Sequence, residues 1–89
     1  SIRAVIFDSS GKQLSASQRE WTHIEEEGVP DSMTFDTAHN WPLVAACIRD
    51  ALSQAGLQGS DIAALSATSM REGIVLYDKE GEALWGMAN

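Results

Sequence analysis

Arg71 and Glu72 stand side by side in Ser66-Ala67-Thr68-Ser69-Met70-Arg71-Glu72-Gly73, directly after the apolar run Ile62-Ala63-Ala64-Leu65. A guanidinium presents a fixed fork of N–H donors, and a carboxylate presents acceptors only. Together they can grip a molecule rich in hydroxyls, each of which both donates and accepts. The pair falls where a strand is expected to run out into a loop, and open α/β sheets bind ligands beyond the carboxyl ends of their strands. The plain alternative is a solvated Arg–Glu pair that pins a turn, as charged loop residues commonly do. Spacing alone leaves both readings open.

Other reactive patterns are scarce. There is no Gly-rich dinucleotide fingerprint, no phosphate loop ending in Gly-Lys-Ser/Thr and no Gly-x-Ser-x-Gly elbow. His23 and His39 are not spaced as metal ligands on one helix face, and both read as surface residues. Cys47 is the single cysteine, which excludes an intrachain disulfide and zinc-type spacing. It lies in Val44-Ala45-Ala46-Cys47-Ile48, where a small buried thiol fits better than a nucleophile. Trp21, Trp41 and Trp85 lack basic neighbours, which argues against a base-stacking platform. The acidic run Glu25-Glu26-Glu27 reads as solvated loop.

Thirteen acids against six bases give a net charge of −7. That balance speaks against nucleic acid and against an anionic membrane surface, since both are held through Lys/Arg clusters. No signal peptide is recognisable, and no apolar stretch approaches the roughly 18 residues that span a bilayer. A reduced, cytoplasmic setting is the expectation. The 89 residues, 44% of them apolar, suit one small domain or one piece of a larger one. The chain opens on Ser1 without an initiator Met and closes on Asn89 inside an apolar-rich segment, so it reads as cut at both ends.

These residues must be held by a short series of elements. Ile2 to Asp8 reads as a strand, Ser9-Ser10-Gly11-Lys12 as a turn, and the loose alternation from Leu14 to Trp21 as the second strand of a hairpin. Residues 22–35, with Gly28, Pro30 and Asp31, lack periodicity and read as a long loop. Trp41, Val44, Ile48, Leu52 and Ala55 recur every three or four residues and predict a helix with that stripe in the core. The helix start is ambiguous: Asp36 or Thr37 would cap it well but leave Pro42 interrupting the ladder, whereas Asn40 as N-cap would put Pro42 harmlessly in the first turn; Gly56 supplies the stop. A strand over about Ile62 to Ser66 and a last hairpin, Gly73–Asp78 and Ala83–Ala88 around Lys79–Glu82, complete an α/β order with a mixed sheet. No internal repeat is apparent.

Several segments in order resemble the N-terminal lobe of the carbohydrate kinases with the FGGY signature. They are Ser1-Ile2-Arg3-Ala4-Val5-Ile6-Phe7-Asp8, Gln18-Arg19-Glu20-Trp21, Phe35-Asp36 ahead of Trp41, Asp61-Ile62-Ala63-Ala64-Leu65-Ser66 and Met70-Arg71-Glu72-Gly73-Ile74-Val75-Leu76-Tyr77. The resemblance covers nearly the whole chain. It implies an actin-like, ribonuclease-H-like fold, here partial, with residues 1–89 as a single partial domain lacking the first strand and the second lobe. It implies ATP and Mg²⁺ in the complete enzyme, with Ser1 and Arg3 at the trailing end of the phosphate-binding loop and Arg3 approaching the transferring phosphate. It assigns Arg71 and Glu72 to the hydroxyls of a small polyol or sugar-like substrate.

The family's catalytic Asp has no counterpart here, so the piece alone is expected to be inactive. The wording around Arg71 resembles members that act on a small polyhydroxylated signal ketone of bacterial quorum sensing. Members acting on glycerol or a pentulose, and a non-catalytic actin-like binding module, stay open as alternatives. Without the first strand, the edges of Ile2–Asp8 and Ile62–Ser66 would be exposed, which predicts self-association through them.

Overall fold

The computed structural model describes residues 1–69 and 73–87. In chain order these form strands β1 (Ile2–Phe7), β2 (Gln13–Arg19), β3 (Ile24–Glu26) and β4 (Val29–Thr34), helix α1 (Thr37–Ala55), a single 3₁₀ turn (Gly59–Asp61), and strands β5 (Ile74–Tyr77) and β6 (Ala83–Met87). The chain is therefore a mixture of sheet and helix, and every strand pairing among the described residues is antiparallel. It divides into two compact units. One comprises Ser1–Trp21 and Trp41–Ala67, the other Thr22–Asn40 with the described part of 68–89.

In the first unit, β1 and β2 form the expected hairpin, with Arg3 opposite Gln18, Ala4 opposite Ser17 and Ile6 opposite Ser15. Asp8 builds the turn. Its Oδ1 accepts from the backbone N–H groups of Ser10 and Lys12 and from the Ser10 hydroxyl, at 2.9, 2.9 and 2.7 Å. Gly11 then takes φ +85°, which a side chain would resist. These donors hold the Asp8 carboxyl below the usual aspartate range, the Ser10 hydroxyl most of all.

The same turn recurs 70 residues later. Asp78 Oδ1 accepts from the N–H groups of Glu80 and Glu82, both at 2.9 Å, and Gly81 takes φ +83°. Residues 4–14 and 74–84 thus share strand, Asp-x-x-Gly turn and strand, each hairpin with a register shift just before the Asp. This short repeat escapes a sequence scan because the two copies share few identities beyond Val5/Val75, Asp8/Asp78, Gly11/Gly81 and Leu14/Leu84.

Helix α1 takes the earlier of the starts the sequence left open and contains Pro42. Asp36 rather than Asn40 is the cap: its Oδ1 accepts the His39 N–H at 3.0 Å, and its carbonyl accepts the Asn40 N–H at 2.9 Å. A capped first turn offsets the one ladder bond that Pro42 removes. At the other end Gly56, at φ +67°, donates to the Ser53 carbonyl while Leu57 donates to that of Leu52. That 5→2 and 6→1 pattern is a Schellman stop.

The packed face of α1 differs from the anticipated stripe. Cys47 and Ala51 are fully buried, whereas Trp41 is 70% exposed and Ile48 is 37% exposed. The reason lies in β2. The buried strand residues are Ser15 and Ser17, and the Ser15 hydroxyl donates to the Ala51 carbonyl at 2.7 Å. A serine surface admits a small-residue helix face closely, so the large residues turn outward. Cys47 Sγ lies 3.7 Å from the Ile2 carbonyl, and Arg19 pairs with Asp50. The lone cysteine is thus the buried small thiol expected of it.

Two further expectations are corrected. Residues 22–35 are not a loop: β3 and β4 pair, with Glu26 opposite Val29 and Gly28 at φ +80° between them. The hairpin is irregular, with Asp31 at φ +63° and its N–H held by Glu25 Oε1, and this hides the alternation a strand would show. The segment Ile62–Ser66 has no ladder partner among the described residues, and Leu65 is 78% exposed. A strand is defined by its neighbour, and the described residues supply none for it. In the second unit the strand order is β3-β4-β6-β5, with Thr34 and Ile74 both opposite Met87.

Candidate functional site

β1 alternates its side chains, so Ile2, Ala4 and Ile6 share the helix side with Ser15 and Ser17, and Arg3 and Val5 take the other. Arg3 sits there exposed, opposite Gln18. Its Nε and Nη2 both donate to Gln18 Oε1, at 3.3 and 2.9 Å. Gln18 in turn donates from Nε2 to Glu20 Oε1 at 2.8 Å. Beside this chain lies a depression of about 300 Å³ lined by Arg3, Val5, Gln13, Ala16, Ser17 and Gln18. Of the five N–H donors on a guanidinium, three are left on Arg3 without a partner among the described residues. A cation with free donors at an open surface suits a phosphate oxygen. Ser1, the other residue expected near phosphate, is exposed two positions earlier.

Arg71 and Glu72 lie outside the described residues. Their described neighbours are Thr68 and Ser69, both exposed, and Gly73, which leads into β5. β5 is set by its register with β6, Val75 opposite Gly86 and Leu76 opposite Trp85. Gly86 is required there: a Cβ at that position would lie 2.8 Å from the Phe35 carbonyl oxygen.

Phe35 donates its N–H to the Gly86 carbonyl at 3.2 Å, and its ring is 6.2 Å from that of His23. His23, read from sequence as a surface residue, is half-buried, with Nε2 unpartnered among the described residues. Asn40 is 2% exposed, and neither atom of its side-chain amide has a partner there. Asn40, one of the cap candidates in the sequence, is a buried amide on the helix. Gln18 and Glu20 were visible only as part of a matching motif. The cross-strand register, not their own types, gives them a role beside Arg3. No cluster of three His, Cys, Asp or Glu side chains suited to a metal occurs among the described residues, and none of their helices is long and apolar enough to cross a membrane.

A helix packed on a two-stranded hairpin, a second small sheet and an arginine fork beside a surface depression make up a mixture of helix and sheet. The chain belongs to the FGGY family of carbohydrate kinases, whose N-terminal domain matches residues 1–87. Along all 89 residues it is 55% identical to the autoinducer-2 kinases of Klebsiella pneumoniae, Salmonella typhimurium and Yersinia enterocolitica. The match takes in 100% of this chain and spans 17% of the length of each of these relatives.

Proposed function

We propose that this chain is a single partial domain, the N-terminal part of an ATP-dependent kinase that phosphorylates a hydroxyl of a small polyhydroxylated substrate, autoinducer-2. The observation that carries this reading is the 55% identity to autoinducer-2 kinases along every residue of the chain. Arg71 and Glu72 hold substrate hydroxyls, the guanidinium donating and the carboxylate accepting. Ser1 and Arg3 lie toward the nucleotide phosphates, and the free donors of Arg3 offset negative charge on the group in transit. ATP supplies the phosphoryl group, and Mg²⁺ neutralises charge on it.

The family's catalytic Asp has no counterpart among these 89 residues, so they alone do not turn over. The protein works in the cytoplasm, and the isolated chain self-associates through the open edge of β1. In the full-length kinase, Arg71→Ala lowers kcat/KM for autoinducer-2 by about 2–4 kcal/mol, as expected for loss of a charge-assisted contact. An unchanged kcat/KM would overturn the site assignment. A preference for glycerol or a pentulose over autoinducer-2 would overturn the choice of substrate.

A further inference from the structure

We propose that Gln18 and Glu20 are positioning residues that aim the Arg3 fork at the transferring phosphate. The proposal rests on the reading of Arg3 as a phosphate contact and adds to it a relay that sets the fork's orientation. Arg3 is exposed on the sheet surface, where an unrestrained guanidinium samples many rotamers. Two of its donors, Nε–H and one on Nη2, converge on a single acceptor, Gln18 Oε1. Two bonds to one oxygen fix the plane of the guanidinium as well as its position. The remaining donors are on Nη1 and the outer side of Nη2, and the depression lined by Arg3, Val5 and Gln18 lies alongside.

Gln18 can serve as that acceptor only with its amide in one of two orientations. Its oxygen must face Arg3 and its nitrogen must face away. Glu20 enforces this. A carboxylate accepts and cannot donate, so it draws the Nε2 hydrogens of Gln18 at 2.8 Å and leaves Oε1 to Arg3. The three residues lie on one side of the hairpin because 18 and 20 are two apart along the chain and 18 is directly opposite 3. Glu20 thereby acts on Arg3 without touching it, through the choice between two amide rotamers. Its carboxylate is also kept one residue away from the guanidinium, so Arg3 keeps its charge available rather than being neutralised in a direct ion pair.

The test exploits the difference between an acceptor and a donor at position 20. Glu20→Gln can accept or donate and so relaxes the choice between the two amide orientations; Glu20→Lys offers only donors, which turn the Gln18 amide around and present its nitrogen to Arg3. The first readout needs no nucleotide: hydrogen exchange of the Arg3 Nε–H, followed by NMR in the 89-residue chain. It is slow in the unmodified chain, intermediate in Glu20→Gln, and fastest in Gln18→Ala and Glu20→Lys. The second is kinetics in the full-length kinase. There Gln18→Ala and Glu20→Lys lower kcat about 10-fold with KM for the sugar-like substrate unchanged, Glu20→Gln falls between them and wild type, and Arg3→Ala with Gln18→Ala is no slower than Arg3→Ala alone. If Arg3→Ala slows the reaction while Gln18→Ala and Glu20→Lys match wild type, the relay is wrong and the role of Arg3 stands. If Arg3→Ala itself is fully active, the underlying reading fails and the relay with it.

Discussion

The hydroxyl of Ser15 donates to the backbone carbonyl of Ala51 at 2.7 Å, tying the second strand of the hairpin to the last turns of the helix. Both residues are buried, and both are small. The contact explains why the helix presents Cys47 and Ala51 to the sheet and sends Trp41 and Ile48 outward. Ser15→Ala is expected to lower stability by about 1 kcal/mol through loss of one buried hydrogen bond. Ser15→Leu is expected to cost more, about 1–3 kcal/mol, because the helix cannot retreat without losing its other contacts. Urea unfolding of the 89-residue chain checks the order; a Leu variant as stable as wild type would show that the interface is loose.

Asp8 makes stability sensitive to acid. Its carboxyl titrates lower in the folded chain than its ordinary value of 3.8, chiefly because of the Ser10 hydroxyl and the Lys12 N–H. A depressed folded value means that the contribution is complete above the unfolded pKa and is lost as pH falls through the folded one. Stability should therefore decline below about pH 4, and Asp8→Asn should flatten that part of the profile. Thermal melts between pH 2.5 and 6 measure it. Identical acid limbs in the two proteins would remove Asp8 from the account.

Gly86 has no room for a side chain. A Cβ there meets the Phe35 carbonyl oxygen at 2.8 Å and the Val75 Cγ2 at 3.4 Å. Gly86→Ala should cost about 1–3 kcal/mol by forcing β6 away from the residues it pairs with. Gly59→Ala meets nothing within 4 Å and serves as the matched control. Equal melting temperatures for the two variants would contradict the close approach.

Asp36 holds the first turn of the helix through the His39 N–H. Asp36→Ala should lower stability by about 1 kcal/mol, and Asp36→Ser should restore most of it, since serine also caps. If Asn40→Ala removes helix content measured by circular dichroism while Asp36→Ala does not, the helix starts at Asn40 after all.

Signals confined to a few neighbouring residues were readable in advance. The turns at Ser9–Lys12 and Lys79–Glu82, the helix over Trp41–Ala55 and its Gly56 stop all follow from local backbone energetics, in which glycine at positive φ and a regular apolar spacing carry the information. The family was equally legible, because matching segments recur in order from Ser1 to Tyr77. The assignment of Arg71 and Glu72 rests on that resemblance and on their residue types alone.

What the sequence could not reveal depends on partners distant in the chain. Strand alternation in Gln13–Arg19 offers two faces, and nothing local says that the serines rather than Leu14 meet the helix; Ala51, 36 residues away, decides it. Residues 24–34 pair in spite of Pro30 and Asp31, whereas Ile62–Ser66, apolar and β-prone, has no ladder partner among the described residues. Gln18 looks like any strand glutamine until the register sets it across from Arg3. Local rules choose conformations residue by residue, but facing, pairing and the aim of a side chain are set by what arrives from elsewhere, since a ladder bond or a buried contact exists only when both halves are present.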